Sequence, residues 1–366
     1  MTPGRRGPEP KENQGEKTLN HPKKVRVALI GLGKLGILHT AVVNMIPDAE
    51  LCALVDVNKQ LSRYAAQAGL KAPFFTDTER MLAEIRPDAV VICTPAFANL
   101  SVARPCLERG LDVFVEKPLA HTFEEAKTMV ALAGRGNVVS ATGYLMAHMT
   151  IFQKAKSLIS EGVLGRLERV RSSVYTSEVF AKKKGWLYDR EKSGGGAVIN
   201  IASHLLYLLY WYFGQAREVF AQAKAIYSDV EDAATALLLF DGGLHGTMDV
   251  SWSLPGYRLP HTEIHIEGDN GTMEVSGDYI KLYLFHAHKS YPREWTTIHK
   301  IDLPSTGRFI IGAEGLYEED QDFVSRCLDR GRPAVSWSDG FEVQRMIEAI
   351  YRSAARKKVI STGDLA

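Results

Sequence analysis

The chain has 366 residues, more than one ordinary hydrophobic core accommodates, so two domains are expected. Hydrophobic residues make up 45% and charged residues 24%, the balance of a soluble globular protein. Lys and Arg (44) nearly cancel Asp and Glu (43), leaving no global basic field and arguing against nucleic acid as a partner.

Residues 1–22 hold almost no apolar side chain and cannot build a core, so a disordered tail is expected there. Arg5-Arg6 is followed by Glu9-Pro10-Lys11-Glu12-Asn13 rather than by the apolar segment of a twin-arginine export signal, and a cytoplasmic protein is expected. No apolar run reaches the length of a membrane span. The longest, 197–213, is interrupted by Asn200 and His204, so no membrane contact is expected. Cys52, Cys93, Cys106 and Cys327 form no C-x-x-C pair. Cys52 and Cys93 fall inside predicted buried strands, which reads as inert core thiols in a reducing compartment.

Val25, Val27, Leu29 and Ile30 predict a short buried strand, stopped by Gly31-x-Gly33-x-x-Gly36 and followed by a helix over 37–43. In that context Gly31 permits a tight turn, Gly33 lets a pyrophosphate approach the backbone, and Gly36 lets helix and strand pack closely. Phosphates then lie at the helix N-terminus, where free N–H groups and the helix dipole favour an anion. A second strand over 50–56 ends in Asp56, twenty residues past Gly36, where a carboxylate can accept both ribose hydroxyls of NAD.

Strand and helix then alternate. Helices are predicted over 59–69, 78–85 (with Thr78 as its cap and Asp77 beside it), 100–109 and 123–133. Strands are predicted at 74–75, 87–93, 112–115 and 137–143. The pattern predicts an α/β domain with a doubly wound parallel sheet over 23–143. Ligands of such sheets sit beyond the carboxyl ends of the strands, where Gly31–Gly36, Asp56, Thr94-Pro95 and Glu116-Lys117-Pro118 all fall.

After a helix over 151–161 the chain changes character. Strand-like runs at 167–171, 233–240, 244–252, 261–267, 272–276 and 279–285 have little helix between them. Thr262, Ile264 and Ile266 alternate with Glu263, His265 and Glu267, the pattern of a sheet with one wet face, and Gly268-Asp269-Asn270-Gly271 reads as a hairpin turn. A largely antiparallel α+β domain over 144–366 follows, closed by helices over 318–330 and 340–352. Within it, Ser193-Gly194-Gly195-Gly196 leads into a helix that is apolar nearly all round, with Asn200 and His204 one turn apart on one face. A buried polar pair needs hydrogen-bond partners from protein or substrate, and by itself a satisfied core histidine is the commoner case.

Taken together, the glycine loop, Thr94-Pro95, Glu116-Lys117-Pro118, Trp186-Leu187-Tyr188-Asp189, Ser193-Gly194-Gly195-Gly196 and His204 resemble the Gfo/Idh/MocA oxidoreductases. That family is named for glucose–fructose oxidoreductase, inositol dehydrogenase and a rhizopine-catabolism protein. The resemblance runs from about Lys24 to the C-terminus. It implies hydride transfer between nicotinamide and a secondary alcohol or ketone of a sugar, cyclitol or nucleotide sugar. It also implies a homodimer or homotetramer formed through the open face of the second domain's large sheet, and a cis Lys117–Pro118 peptide. The cofactor set implied is Gly31, Gly33, Lys34, Leu35, Gly36 and Asp56 from the first two strands. Thr94, Pro95, Asn99, Glu116, Lys117 and Trp186 complete it, with no metal. NAD is expected from the charge of Asp56, with NADP left open because Lys59 can swing toward a 2′-phosphate.

By the same resemblance the catalytic residues are Lys117, which hydrogen-bonds the reacting oxygen, His204, which exchanges the proton, and Asn200. An ammonium stabilises developing alkoxide, and an imidazole can take a proton near neutral pH. Asn200 stands where many members carry Asp and cannot act as a base, although it can orient hydroxyls. Asn99, Met146, Ala147 and Tyr207 also depart from the commoner pattern and bear on the substrate rather than the reaction type. Two other readings compete with the dehydrogenase. One is a glycosidase of the same fold that uses NAD transiently. The other is a catalytically silent NAD-binding regulator, against which Lys117 and His204 argue.

Overall fold

The computed structural model describes residues 24–304 and 314–365. The tail expected over 1–22 lies outside the described residues. The first unit contains β1 (Val25–Ile30), α1 (Lys34–Val43), β2 (Ala49–Val55), α2 (Leu61–Gln67), β3 (Phe74–Phe75) and α3 (Thr78–Ile85). It continues with β4 (Ala89–Ile92), α4 (Asn99–Glu108), β5 (Asp112–Glu116), α5 (Phe123–Ala133) and β6 (Ser140–Gly143). The six strands form one parallel sheet in the order β3-β2-β1-β4-β5-β6. All four residues of β4 and all five of β5 are buried, as strands covered on both faces require. At α3 the cap is Asp77, whose carboxylate accepts the Arg80 N–H, and not Thr78. Asp77 holds the extended backbone that an N-cap needs, while Thr78 is already helical.

The second unit opens with α6 (Thr150–Ser160), β7 (Leu167–Tyr175), α7 (Arg190–Ser193), a π-helical turn (Val198–Ala202) and α8 (Ser203–Phe213). Seven strands follow: β8 (Glu218–Lys224), β9 (Ala233–Leu239), β10 (His245–Ser251), β11 (His261–Gly268), β12 (Gly271–Ser276), β13 (Tyr279–Leu284) and β14 (Glu294–His299). Helices α9 (Leu316–Asp329) and α10 (Trp337–Arg356) and the short β15 (Ile360–Ser361) end the fold. Nine strands form one sheet in the order β14-β13-β12-β11-β7-β10-β9-β8-β15. Every pair in it is antiparallel except β7–β10. Strands β8, β14 and β15 carry weak sequence signals: β8 buries only Val219 and Ala221, β14 is largely exposed, and β15 has two residues.

Helices α6, α8 and α10 cover one face of this sheet, where Leu205, Leu208, Met346 and Ile350 share a core with Ile264, Ile266 and Val275. The other face bears the alternate residues, among them the exposed Leu237, Leu239 and Trp295. Contrary to the sequence reading, the stretch Arg190–Phe213 does match a membrane span in length and composition. Its most apolar window is 67% buried within the protein's own core, so α8 is a central packing helix. Late in the chain α9 crosses back to the first unit, where Phe323 and Val324 pack with Val27 and Leu29. The Trp337 indole N–H donates to the Ala141 carbonyl at 2.9 Å and anchors α10 beside β6.

Candidate active site

The glycine loop does what its spacing demands. Gly31 has φ +93°, and a Cβ there would stand 2.8 Å from the Cys93 carbonyl carbon. A Cβ on Gly36 would lie 1.8 Å from the Gly31 oxygen, so only glycine lets α1 pack this close to β1. A Cβ on Gly33 would meet nothing within 4 Å, because that residue faces an open cleft. No side chain caps α1 and no acid occupies its first turn, which leaves its N-terminal N–H groups and dipole to an anion. Asp56 follows β2, and its carboxylate accepts the Leu32 N–H at 2.7 Å and the Asn58 N–H at 2.8 Å. The acid expected to meet the ribose therefore also shapes the loop.

The cleft has a volume of about 710 Å³, within the ordinary range for a cofactor site. Gly31, Gly33, Lys34, Leu35, Asp56, Thr94, Pro95, Asn99, Glu116, Lys117, Trp186 and Asn200 line it. Gly36 lies behind the loop, and His204 is absent from the lining. Asn99 is almost wholly buried. It accepts the Thr94 hydroxyl at 2.9 Å and donates to the Pro118 and Leu119 carbonyls at 3.2 Å. Its side chain thus ties Thr94-Pro95 to the loop after β5. Trp186 reaches over from the second unit and meets Phe97 edge-on, with ring centroids 6.3 Å apart. Cys93 lies one residue past β4, at the cleft rather than inside the strand, and burial raises its thiol pKa to about 12. The room left at Gly33, the uncapped α1 and the acid after β2 together fit a dinucleotide.

Lys117 directly follows β5 and is joined to Pro118 by a cis peptide bond. Its Nζ donates to the Asn200 carbonyl oxygen at 3.0 Å. That carbonyl belongs to the π-helical turn, whose irregular ladder leaves it open to side-chain donors; the Ser203 hydroxyl also reaches it, at 3.2 Å. Burial lowers the Lys117 pKa, opposed by the carboxylates of Glu116 and Glu178. His204 is half-buried, its Nδ1 has no hydrogen-bond partner, and its ring meets Tyr144 edge-on at 5.8 Å. Burial first, and then the nearby Lys117 charge, hold its pKa well below the usual histidine value. The imidazole is therefore neutral at neutral pH and open at Nδ1.

Sequence reasoning missed Phe97, Glu178 and Glu231. Glu231 is buried, and its Oε1 accepts the Gly196 and Val198 N–H groups at 2.8 and 3.1 Å and the Tyr351 hydroxyl at 2.8 Å. It caps the segment that carries Asn200. A Cβ on Gly196 would lie 2.1 Å from the Glu231 carbonyl oxygen, which explains one of the three glycines. An acid 35 residues away carries no local signal for this role.

Comparison with known proteins agrees with this geometry. Residues 25–144 match the family described as oxidoreductase family, NAD-binding Rossmann fold, and residues 152–274 match the GFO/IDH/MocA C-terminal domain. D-apiose dehydrogenase of Paraburkholderia graminis is 24% identical over 94% of this chain and 91% of its own length. Myo-inositol 2-dehydrogenase of Thermotoga maritima is 25% identical over 86% and 92%. Among solved structures, levoglucosan dehydrogenase in complex with NADH and L-sorbose superposes with a TM-score of 0.85 at 22% identity, covering 93% of this chain and 99% of that one. The dinucleotide loop and the two matched domains make this chain a member of the Gfo/Idh/MocA oxidoreductase family, with NAD as its cofactor.

Proposed function

We propose that the protein is an NAD-dependent dehydrogenase or reductase acting on a secondary alcohol or ketone of a sugar, cyclitol or nucleotide sugar. The observation that carries this reading is Lys117, a half-buried ammonium that lines the cleft with Asn200 while His204 stands close enough to feel its charge. NAD in the cleft supplies the hydride acceptor or donor. Lys117 binds the reacting oxygen and stabilises the alkoxide character that grows on it as hydride leaves the carbon. His204, neutral at rest, accepts the hydroxyl proton in oxidation and returns it in reduction, although its depressed pKa makes it a modest base. Asn200 orients substrate hydroxyls with its side-chain amide, which is left free because Lys117 bonds its backbone carbonyl.

The named activities of the apiose and inositol relatives support a free sugar or cyclitol first. The test is a panel of polyols, free sugars and nucleotide sugars with NAD, read by NADH absorbance. NADH formed with one class, and lost in Lys117→Ala without loss of NADH binding, supports the proposal. Turnover of a glycoside without net NADH would support the transient-redox glycosidase instead. Binding of NAD with no turnover of any member would support the silent regulator. We further propose a homo-oligomer joined through the open sheet face, supported by the exposed Leu237, Leu239 and Trp295. A cytoplasmic setting is supported by four free cysteines.

A further inference from the structure

One buried ionic cluster lies just behind the cleft and outside the reaction described above. His39 is on α1, the helix that opens at the glycine loop, and is fully buried. Its Nδ1 meets both carboxylate oxygens of Asp320 on α9, at 2.8 and 3.0 Å. Its Nε2 meets Glu116 Oε1 at 3.0 Å. The other oxygen, Glu116 Oε2, accepts the backbone N–H of Lys117 at 2.9 Å. Asp320, Glu116 and His39 come from three elements and are 1%, 6% and 0% exposed. Neither carboxylate can donate a hydrogen bond when ionised, so a ring flanked by two of them must donate from both nitrogens.

We propose that His39 is a positioning residue: a buried imidazolium that ties α1 and α9 to Glu116 and thereby holds Lys117 in place as a charged donor. The proposal rests on the dehydrogenase reading for its catalytic meaning and on geometry alone for its structural claim. The charge count supports it. The titratable groups around the ring are Asp320 and Glu319 from α9, Glu116 from β5 and Cys93 after β4. Both oxygens of Glu319 are buried without partners, and burial beside Glu116 raises its pKa well above the carboxylate range. Burial thus favours the neutral form of Glu319 and the thiol of Cys93, which leaves the His39 ring between the two carboxylates it touches. His39, Glu116 and Glu319 also lie near enough together to ligate a metal. A ring that donates from both nitrogens has no lone pair for one, so the proton and not a metal occupies this cluster.

Without the imidazolium, Glu116 would lose the partner that fixes its side chain beside Lys117 and would face Asp320 with no cation between the two carboxylates. A Glu116 side chain no longer held in place would oppose the burial of Lys117 less, and the ammonium would deprotonate at lower pH. Two measurements need no substrate. In histidine-labelled wild-type protein, ¹⁵N resonances of His39 should show both ring nitrogens protonated through neutral pH. In lysine-labelled protein, the Lys117 ¹³Cε resonance, assigned by its absence in Lys117→Met, should titrate about one pH unit lower in His39→Gln and in Glu116→Gln than in wild type. Glu116→Gln leaves the His39–Asp320 pair intact and guards against misfolding of His39→Gln. A neutral His39 in the wild type would overturn the proposal. So would an unchanged Lys117 midpoint in a folded Glu116→Gln. On a substrate found by the panel, the alkaline limb of kcat/KM should move down with that midpoint. Failure of the limb alone would count against Lys117 as the catalytic donor and leave the cluster standing.

Discussion

At the scale of single residues, charge placement decides cofactor choice and reactivity. Asp56 accepts the Leu32 and Asn58 N–H groups besides carrying the charge expected to repel a 2′-phosphate, so its removal would disturb the loop as well as the charge. Asp56→Asn removes the charge and keeps one acceptor oxygen for the Leu32 N–H, while losing the hydrogen bond to Asn58. We expect it to improve NADP affinity relative to NAD by about tenfold, ~1.4 kcal/mol, by fluorescence titration of both reduced cofactors. An unchanged ratio would leave Asp56 with the loop alone. His204 and Lys117 set a second expectation. Activity should fall at low pH as His204 takes a proton, with a midpoint below 6.5, and at high pH as Lys117 loses one, with a midpoint below 10.5. His204→Ala should abolish the acid limb and lower kcat by about 10²-fold or more. Near-normal turnover in that variant would return this histidine to the core. Asn200→Asp should alter substrate preference and pH dependence without abolishing activity, since the contact to Lys117 is made by the backbone.

Single elements separate binding from folding, and the glycine loop does so most cleanly. Gly33 has an ordinary backbone conformation at the head of α1 and open space where a Cβ would go. Gly33→Ala should leave the thermal midpoint within a degree or two and weaken NADH binding about tenfold or more, because the methyl enters the space a phosphate needs. Gly36→Ala should instead destabilise the protein by a few kcal/mol, since its methyl meets the Gly31 oxygen and backbone must move. Calorimetry beside NADH titration distinguishes the two. Equal loss of stability in both variants would mean that Gly33 is structural. The helical segment from Gly196 onward shows the same division of labour: Glu231 and Tyr351 hold its start while Asn200 lines the cleft.

For the whole molecule, packing of α9 against the first unit joins parts of the chain that a linear reading keeps separate. His148, on the turn after β6, is buried near Asp322 of α9, and burial lowers its pKa to about 4. Between pH 6.5 and about 4 the unfolded chain binds a proton that folded His148 refuses. Stability should therefore be lost as pH falls through that window, by on the order of 3 kcal/mol. His39 acts in the opposite sense. Its raised pKa contributes stability that is complete below 6.5 and is lost as pH rises through the folded value. Denaturant unfolding of wild type and His148→Gln across this range tests the first claim. The same slope in both would place the acid sensitivity elsewhere. Sedimentation analysis tests the proposed oligomer, and Leu237→Glu with Leu239→Glu should shift the protein toward monomer.

The parallel sheet, most of the antiparallel sheet and the cofactor loop were legible in the sequence, because they are written in local periodicity and in glycines such as Gly31 and Gly36, where a side chain would strike the backbone. The strand ends expected at Ile30, Asp56, Cys93 and Val115, from apolar runs that stop at turn residues, fall within one residue of the observed ends at Ile30, Val55, Ile92 and Glu116. The Glu-Lys-Pro and triple-glycine segments were legible only through family resemblance, since no local rule assigns a lysine or a buried histidine to catalysis. Tertiary structure alone decided the rest. Asn99 turned inward because neighbouring carbonyls needed its amide. The π-helical turn turned the Asn200 carbonyl toward Lys117. His39 found Asp320 across 281 positions. Such contacts depend on which helices pack together, and a buried charge declares its partner only once the fold has removed the water that otherwise serves it.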